Sequence, residues 1–221
     1  MPSILSTKKL TPAQKELLLN GGLGVVEYDA IKIESRDLSG KPDFVENAIF
    51  TSKNAIRAIS GKGLKLRNCF CVGETTAQLA RTEGFQILET TDNAAELAEK
   101  IVEAHQDKKF DFFCGNIRRD ELPDILTKNK IDFTEHIVYT TNLNFKTFDS
   151  QFDGIMFFST SGVESFIKNN KLRTTAFCIG ETTAQEARKH FEQVIVATKP
   201  GIENVIAKVV LHFKKNKHIS T

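Results

Sequence analysis

Cys71-Val-Gly-Glu-Thr-Thr-Ala-Gln-Leu-Ala80 returns 107 residues later as Cys178-Ile-Gly-Glu-Thr-Thr-Ala-Gln-Glu-Ala187. Eight of the ten positions are identical, which is not chance, so the chain carries an internal duplication. The likeness spreads outward with one-residue slips. Ile49-Phe-Thr-Ser-Lys-Asn-Ala55 faces Phe157-Phe-Ser-Thr-Ser-Gly-Val163, each an apolar strand running into hydroxyl residues. Ala94, Leu97, Ala98, Ile101 and Val102 have the spacing of an amphipathic helix, and Ile202, Val205, Ile206, Val209 and Val210 repeat it. The N-terminal Ile4-Leu-Ser-Thr-Lys-Lys, followed by Leu17-Leu-Leu19, resembles Phe112-Phe-Cys-Gly-Asn-Ile-Arg followed by Ile125-Leu126. The whole chain reads as two copies of one unit.

Within each copy a short apolar strand, a polar turn and a helix follow one another several times. Strands are predicted at about 4–6, 47–51, 68–72, 111–114, 154–159 and 174–179. Strands alternating with helices imply parallel sheets covered on both faces, so the expected fold class is α/β, two doubly wound domains of similar build. Two segments break the pattern, Val25–Ser35 and Thr134–Asn144, extended by their β-branched content and equivalently placed in the copies. They are expected to cross between domains as a two-stranded β connection. Domain one then combines about 1–33 with 145–221, and domain two is about 36–133.

Composition narrows the partners. Thirty Lys and Arg against 28 Asp and Glu leave a net charge of only +2, which disfavours a nucleic-acid partner that works by neutralising phosphates. Apolar stretches such as Ile155–Phe158 are far too short to cross a bilayer, and Met1–Lys9 lacks the apolar core of a secretory signal. No membrane is expected, and the cytoplasm is the expected compartment. Cys69, Cys71, Cys114 and Cys178 lack C-x-x-C spacing and sit in apolar runs that read as buried strands, so neither disulfides nor a zinc site is expected.

In open parallel sheets the carboxyl ends of strands meet the amino ends of helices, an edge that attracts anions. That edge is expected to carry Ser6-Thr7-Lys8, Thr51-Ser52-Lys53-Asn54, Gly73-Glu74-Thr75-Thr76, Gly115-Asn116-Ile117-Arg118, Ser159-Thr160-Ser161-Gly162 and Gly180-Glu181-Thr182-Thr183. Each loop alone is explained by helix capping. Their sixfold repetition favours a ligand, and six such loops facing one another across a cleft would suit a large polyanion. The chain lacks the glycine spacings that hold nucleotide phosphates and has no G-x-S-x-G. Its histidines, His105, His136, His190, His212 and His218, show no metal-ligand spacing. Tyr139, one of two tyrosines, lies in the second crossing segment, where a phenol can donate a proton to a departing hydroxyl or simply be a strand aromatic with a wet tip. Tyr28, in the first crossing segment, is its internal control.

Taken together, Ile49-Phe-Thr-Ser-Lys-Asn-Ala, Val72-Gly-Glu-Thr-Thr-Ala, Cys114-Gly-Asn-Ile-Arg, Val138-Tyr-Thr-Thr, Phe158-Ser-Thr-Ser-Gly-Val and Ile179-Gly-Glu-Thr-Thr-Ala resemble the uroporphyrinogen-III synthase family over nearly the full chain. The resemblance implies two α/β domains with the active site in a cleft between them. It also implies a cofactor-free lyase that closes hydroxymethylbilane into uroporphyrinogen III with inversion of the last pyrrole ring. The family's tyrosine, which assists loss of the hydroxyl, matches Tyr139, and its hydroxyl loops match Thr51-Ser52, Thr76, Ser159–Ser161 and Thr182-Thr183. The departure is a scarcity of basic residues, chiefly Lys8, Lys53 and Arg118, so carboxylate binding is expected to rest on backbone amides. A monomer acting on a small molecule is expected. The competing reading is a non-catalytic two-domain protein that clamps a polyanionic small molecule. The basic tail Lys214-Lys-Asn-Lys217 reads as a solvated helix end.

Overall fold

The structure is a computed structural model of the chain, describing residues 1–38, 40, 42–171 and 173–217, with side chains described through 215. His218 and the side chains of Asn216 and Lys217 lie outside the described residues. Packing divides the chain into two compact units, Met1–Lys32 with Asn142–Thr221, and Ile33–Thr141.

The first unit opens with β1 (Ser3–Ser6), α1 (Pro12–Asn20) and β2 (Gly24–Glu27), and resumes after the second with β9 (Gly154–Phe157), α6 (Thr160–Ile167), β10 (Thr175–Cys178), α7 (Glu181–Ala187), β11 (Gln193–Val196) and α8 (Ile202–Lys217). The second unit holds β3 (Ile31–Ser35), β4 (Phe44–Phe50), α2 (Lys53–Ile59), β5 (Lys65–Val72), α3 (Glu74–Thr82), β6 (Ile87–Thr91), α4 (Ala94–Ala104), β7 (Lys109–Gly115), α5 (Glu121–Lys128) and β8 (Asp132–Leu143). The unit boundaries fall inside β3 and β8.

Helices begin where short polar side chains replace missing intrahelical partners. Thr11 and Gln14 form a reciprocal capping box with Pro12 in the first turn of α1. Ser52, Asn93 and Ser159 accept from the first-turn N–H groups of α2, α4 and α6.

The sheet of the first unit runs β11-β10-β9-β1-β2, and that of the second β3-β8-β7-β4-β5-β6. The β1, β2, β9, β10 and β11 pairings are parallel, as are those linking β4 through β8. Both orders are one topology in which β1-α1-β2 stands for β7-α5-β8. The two copies are therefore circularly permuted relatives, with the last strand-helix-strand element of one copy moved to the front of the chain.

Pleat alternation sends neighbouring strand residues to opposite faces and gives each sheet two cores. In the second unit Phe50, Cys71 and Phe113 pack under Ala55, Ile56, Ala77 and Ala80 of α2 and α3. One residue earlier on each strand, Ile49, Phe70 and Phe112 meet Leu97, Ile101, Leu122 and Leu126 of α4 and α5. The first unit repeats this, with Leu5, Phe157 and Cys178 under α6 and α7, and Ile4, Met156 and Phe177 under α1 and α8. The predicted α/β doubly wound class is the observed one.

Two features differ from expectation. Val25–Ser35 is not one crossing strand: β2 belongs to the first sheet and β3 to the second, with the chain turning at 28–30 between them. The break follows the core, because Tyr28 and Ala30 are buried in the first unit while Ile33 is exposed. The second crossing segment is instead one long strand, β8, and most of it is an inner strand of the second sheet.

The duplicated glycines also differ. Gly73 caps α3 at φ +82 and ψ 130, a region closed to residues with a Cβ, whereas Gly180 caps α7 in extended backbone. An added Cβ would touch nothing at either position, so conformation alone separates them. Gly73→Ala is expected to lower unfolding free energy by about 1–3 kcal/mol. Gly180→Ala is expected to be neutral or to raise it by up to about 1 kcal/mol. Urea unfolding of the two variants checks this, and equal losses would contradict it.

Candidate functional site

A doubly wound sheet opens a crevice where the winding reverses, because the connections from the two adjacent strands leave toward opposite faces. In the second unit the reversal lies between β4 and β7, and in the first between β9 and β1. Because these strands are parallel, each unit carries its three predicted loops along one edge of its sheet. Thr51–Asn54, Gly73–Thr76 and Gly115–Arg118 follow β4, β5 and β7, and Ser6–Lys8, Ser159–Gly162 and Gly180–Thr183 follow β1, β9 and β10.

At the reversal of the second unit, Ser52 is half-buried, and its hydroxyl caps Asn54 N–H at 3.1 Å. It also hydrogen-bonds the phenol of Tyr139. Tyr139 is buried, and its carbonyl accepts from Asn116 N–H at 3.2 Å. Burial pushes its phenol above the ordinary tyrosine range, and the Ser52 hydrogen bond pulls partly back. At neutral pH the group is therefore a protonated donor. Asn116 is exposed, and its side-chain oxygen accepts from Thr141 N–H at 2.7 Å. Thr51 and Asn54 are half-buried beside Ser52, and Lys53 is exposed.

Arg118 is placed differently from expectation. Its guanidinium grips Glu135 with contacts at 2.7 and 2.8 Å and also meets Asp120, so its fork is already occupied by carboxylates. Thr75 lies on the exposed side of the first turn of α3, while Thr76 is buried against the core. Glu74 is exposed as well, with its carboxylate paired to Arg81, and Gly73 N–H donates to Thr91 carbonyl at 2.7 Å.

At the reversal of the first unit, Ser6 is fully buried and donates to Lys8 carbonyl at 2.6 Å. Thr7, also buried, donates to Met156 carbonyl at 2.7 Å. Ser159 accepts from Gly162 N–H at 3.0 Å, Ser161 is half-buried, and Lys8 is exposed. Gly180 is half-buried, Thr182 is exposed and Thr183 is buried. The backbone amides at these helix starts, rather than cationic side chains, dominate both edges.

Among the described residues no cluster of His, Cys, Asp or Glu is arranged to hold a metal, and no helix is long and apolar enough to cross a membrane. All four cysteines are buried thiols, and burial raises those of Cys69, Cys71 and Cys178 to about 12, which leaves them inert as nucleophiles. A groove of about 980 Å³ lies at the opposite edge of the first sheet, where Asp153, Thr175 and Gln193 stand at the strand starts. Helices α6 and α7 end there, so their carbonyl ends face it, and Lys171, Arg173, Lys189 and His190 line it beside Asp153 and Glu192.

This geometry defines an α/β protein with two winding reversals whose loops are rich in glycine and hydroxyl residues, one of them furnished with a buried phenol. A family model described as uroporphyrinogen-III synthase HemD matches residues 13–207, and the chain belongs to that family. It is 29% identical over 189 residues to the porphyrin biosynthesis protein HemD of Ruminiclostridium josui, an alignment covering 73% of this chain and 37% of that protein. The chain thus spans little more than a third of the length of that relative. Among solved structures it is similar to uroporphyrinogen-III synthetase from Helicobacter pylori (TM-score 0.70, 18% identity, 96% of this chain and 100% of that one). It is also similar to a mutant uroporphyrinogen III synthase from the extremely thermophilic bacterium Thermus thermophilus (TM-score 0.68, 12% identity, 97% and 100%). At these identities the likeness is one of fold.

Tyr28, the internal control, is buried like Tyr139, but its hydroxyl has no hydrogen-bond partner, and burial alone pushes its phenol far upward. An unmet buried hydroxyl costs about 1–3 kcal/mol. Tyr28→Phe is therefore expected to be neutral or to raise stability by up to about 2 kcal/mol. A clear fall in the thermal midpoint would mean that the hydroxyl is satisfied after all.

Proposed function

We propose that this chain is a uroporphyrinogen-III synthase, a cyclising hydro-lyase that converts hydroxymethylbilane to uroporphyrinogen III at the carboxyl edges of its sheets. The observation that carries the reading is Tyr139, a buried phenol bonded to Ser52 at a winding reversal, in a chain of this family.

The substrate carries a hydroxymethyl group on an electron-rich pyrrole. The pyrrole nitrogen lone pair expels the hydroxyl, which takes the Tyr139 proton and leaves as water, and an azafulvene cation remains. The far pyrrole attacks at its substituted carbon to give a spiro intermediate, which reopens and recloses with that ring inverted. Loss of a ring proton then restores aromaticity, and a proton returned to the phenolate closes the cycle. A raised phenol pKa keeps Tyr139 loaded with the proton it must deliver.

Unaided closure gives the non-inverted isomer, so the protein's contribution is largely shape. Rim groups at Thr51, Ser52, Lys53, Thr75, Ser159, Ser161, Gly180 and Thr182, together with Lys8, are proposed to hold the acetate and propionate groups. Thr76, Thr183 and Arg118 support those loops from behind, through burial and through the Glu135 ion pair. The reaction needs no cofactor, and the enzyme is proposed to work as a cytoplasmic monomer.

Purified protein added to fresh hydroxymethylbilane is expected to yield the type III macrocycle. Binding without any excess of type III over the spontaneous type I product would favour a non-catalytic polyanion clamp. Because holding contributes more than any single acid, Tyr139→Phe is expected to lower kcat about ten- to a hundredfold without abolishing it. Unchanged turnover, or none at all, would count against the assigned role.

A further inference from the structure

Val138 and Tyr139 are consecutive residues, yet both belong to the core under α2 and α3, together with Phe50, Ala55 and Phe113. A regular pleat forbids this, and the preceding pair obeys the rule: His136 is buried while Ile137 is 38% exposed on the other side. The register supplies the reason. Cys114 pairs with Ile137 but Gly115 pairs with Tyr139, so Val138 is an extra residue on β8. A bulge of this kind re-aims the side chain that follows it, here onto the face where Ser52 caps α2.

The bulge is held at the end of β7. Asn116 N–H donates to Tyr139 carbonyl, and its side-chain oxygen takes Thr141 N–H, so one residue grips β8 on both sides of Thr140, immediately after the phenol. Gly115 clears the space. A Cβ there would sit 2.5 Å from Tyr139 Cε2 and Cζ and 2.9 Å from its hydroxyl, in volume already filled by the ring.

In the first unit the β1–β2 pairing ends at Ser6 and Glu27. Thr7 stands at the position equivalent to Gly115, and Tyr28 lies in the core with its hydroxyl unmet.

We propose that Gly115, Asn116 and the extra residue Val138 are positioning residues that turn the Tyr139 phenol toward Ser52. Gly115 then acts on the reaction through Tyr139 rather than by touching substrate. The inference rests on Tyr139 being the leaving-group acid, and it adds what aims that acid.

The chain has two tyrosines and no tryptophan, so Tyr28→Phe leaves Tyr139 as the sole phenol to be followed spectroscopically. In that background Gly115→Ala and Asn116→Ala are compared by alkaline absorbance titration, and by kcat and KM with hydroxymethylbilane, after circular dichroism has shown each to be folded. The ionisation midpoint of Tyr139 is expected to move by about half a pH unit or more in each. The value of kcat is expected to fall about tenfold or more while KM stays within about twofold. With Tyr139→Phe already present, Gly115→Ala is expected to lower kcat by less than about twofold further.

A tenfold loss that persists without the phenol, or a raised KM at constant kcat, would make Gly115 a substrate contact and overturn the proposal. An unmoved titration in both variants would do the same. If Gly115→Ala does not fold, Asn116→Ala carries the test alone. If even the wild-type chain fails to make type III product, the functional reading falls, while the titration still decides whether these residues aim the phenol.

Discussion

The reversal of winding between two neighbouring parallel strands is the constraint on which this protein depends. Side by side, β4 and β7 send their following segments to opposite faces, and so do β9 and β1. No connection covers the sheet edge at those two points. Helix amides are left pointing into the gap, and glycine and hydroxyl residues line it because they cap helices without blocking them. The scarcity of cationic side chains at these edges follows, since amides already supply the positive potential. The arginines brought near are consumed by carboxylates, Arg118 by Glu135 and Asp120, Arg81 by Glu74 and Arg188 by Glu181.

Duplication produced two such gaps, and divergence made them unequal. In the second unit an extra strand residue, a missing side chain and a clamping asparagine bring a phenol to a serine. In the first unit a threonine stands where the glycine is, and the phenol belongs to the core. The shared Gly-Glu-Thr-Thr-Ala motif diverges in the same way, for one glycine occupies left-handed backbone and the other does not. Identical residues in the two copies therefore do not imply identical duties.

Much of this was legible in the sequence. The repeat around Cys71 and Cys178 announced the duplication, and apolar strands ending in hydroxyl residues placed the loops at the carboxyl edges of parallel sheets. What escaped was whatever depends on pairing between distant strands. The extra residue at Val138 leaves no trace in composition, because Ile137-Val138-Tyr139 reads as an unbroken strand until its partner on β7 sets the register. The division of 25–35 between two sheets was hidden for the same reason, since β-branched residues run through both pieces. The short outer strands β6 and β11 are half-exposed and alternate weakly. The duty of Arg118 was misread because Glu135 lies on another strand, and an occupied guanidinium looks the same in sequence as a free one.

The most direct measurement of the central claim is an amide-resolved NMR titration of the isotopically labelled chain with uroporphyrinogen III under anaerobic conditions. If the winding reversals are the carboxylate-binding elements, the amides of Ser6–Lys8, Ser159–Gly162, Thr51–Asn54 and Gly115–Asn116 shift and saturate. Shifts confined to the groove beside Asp153, Thr175 and Gln193, or to the outer strands, would contradict the account.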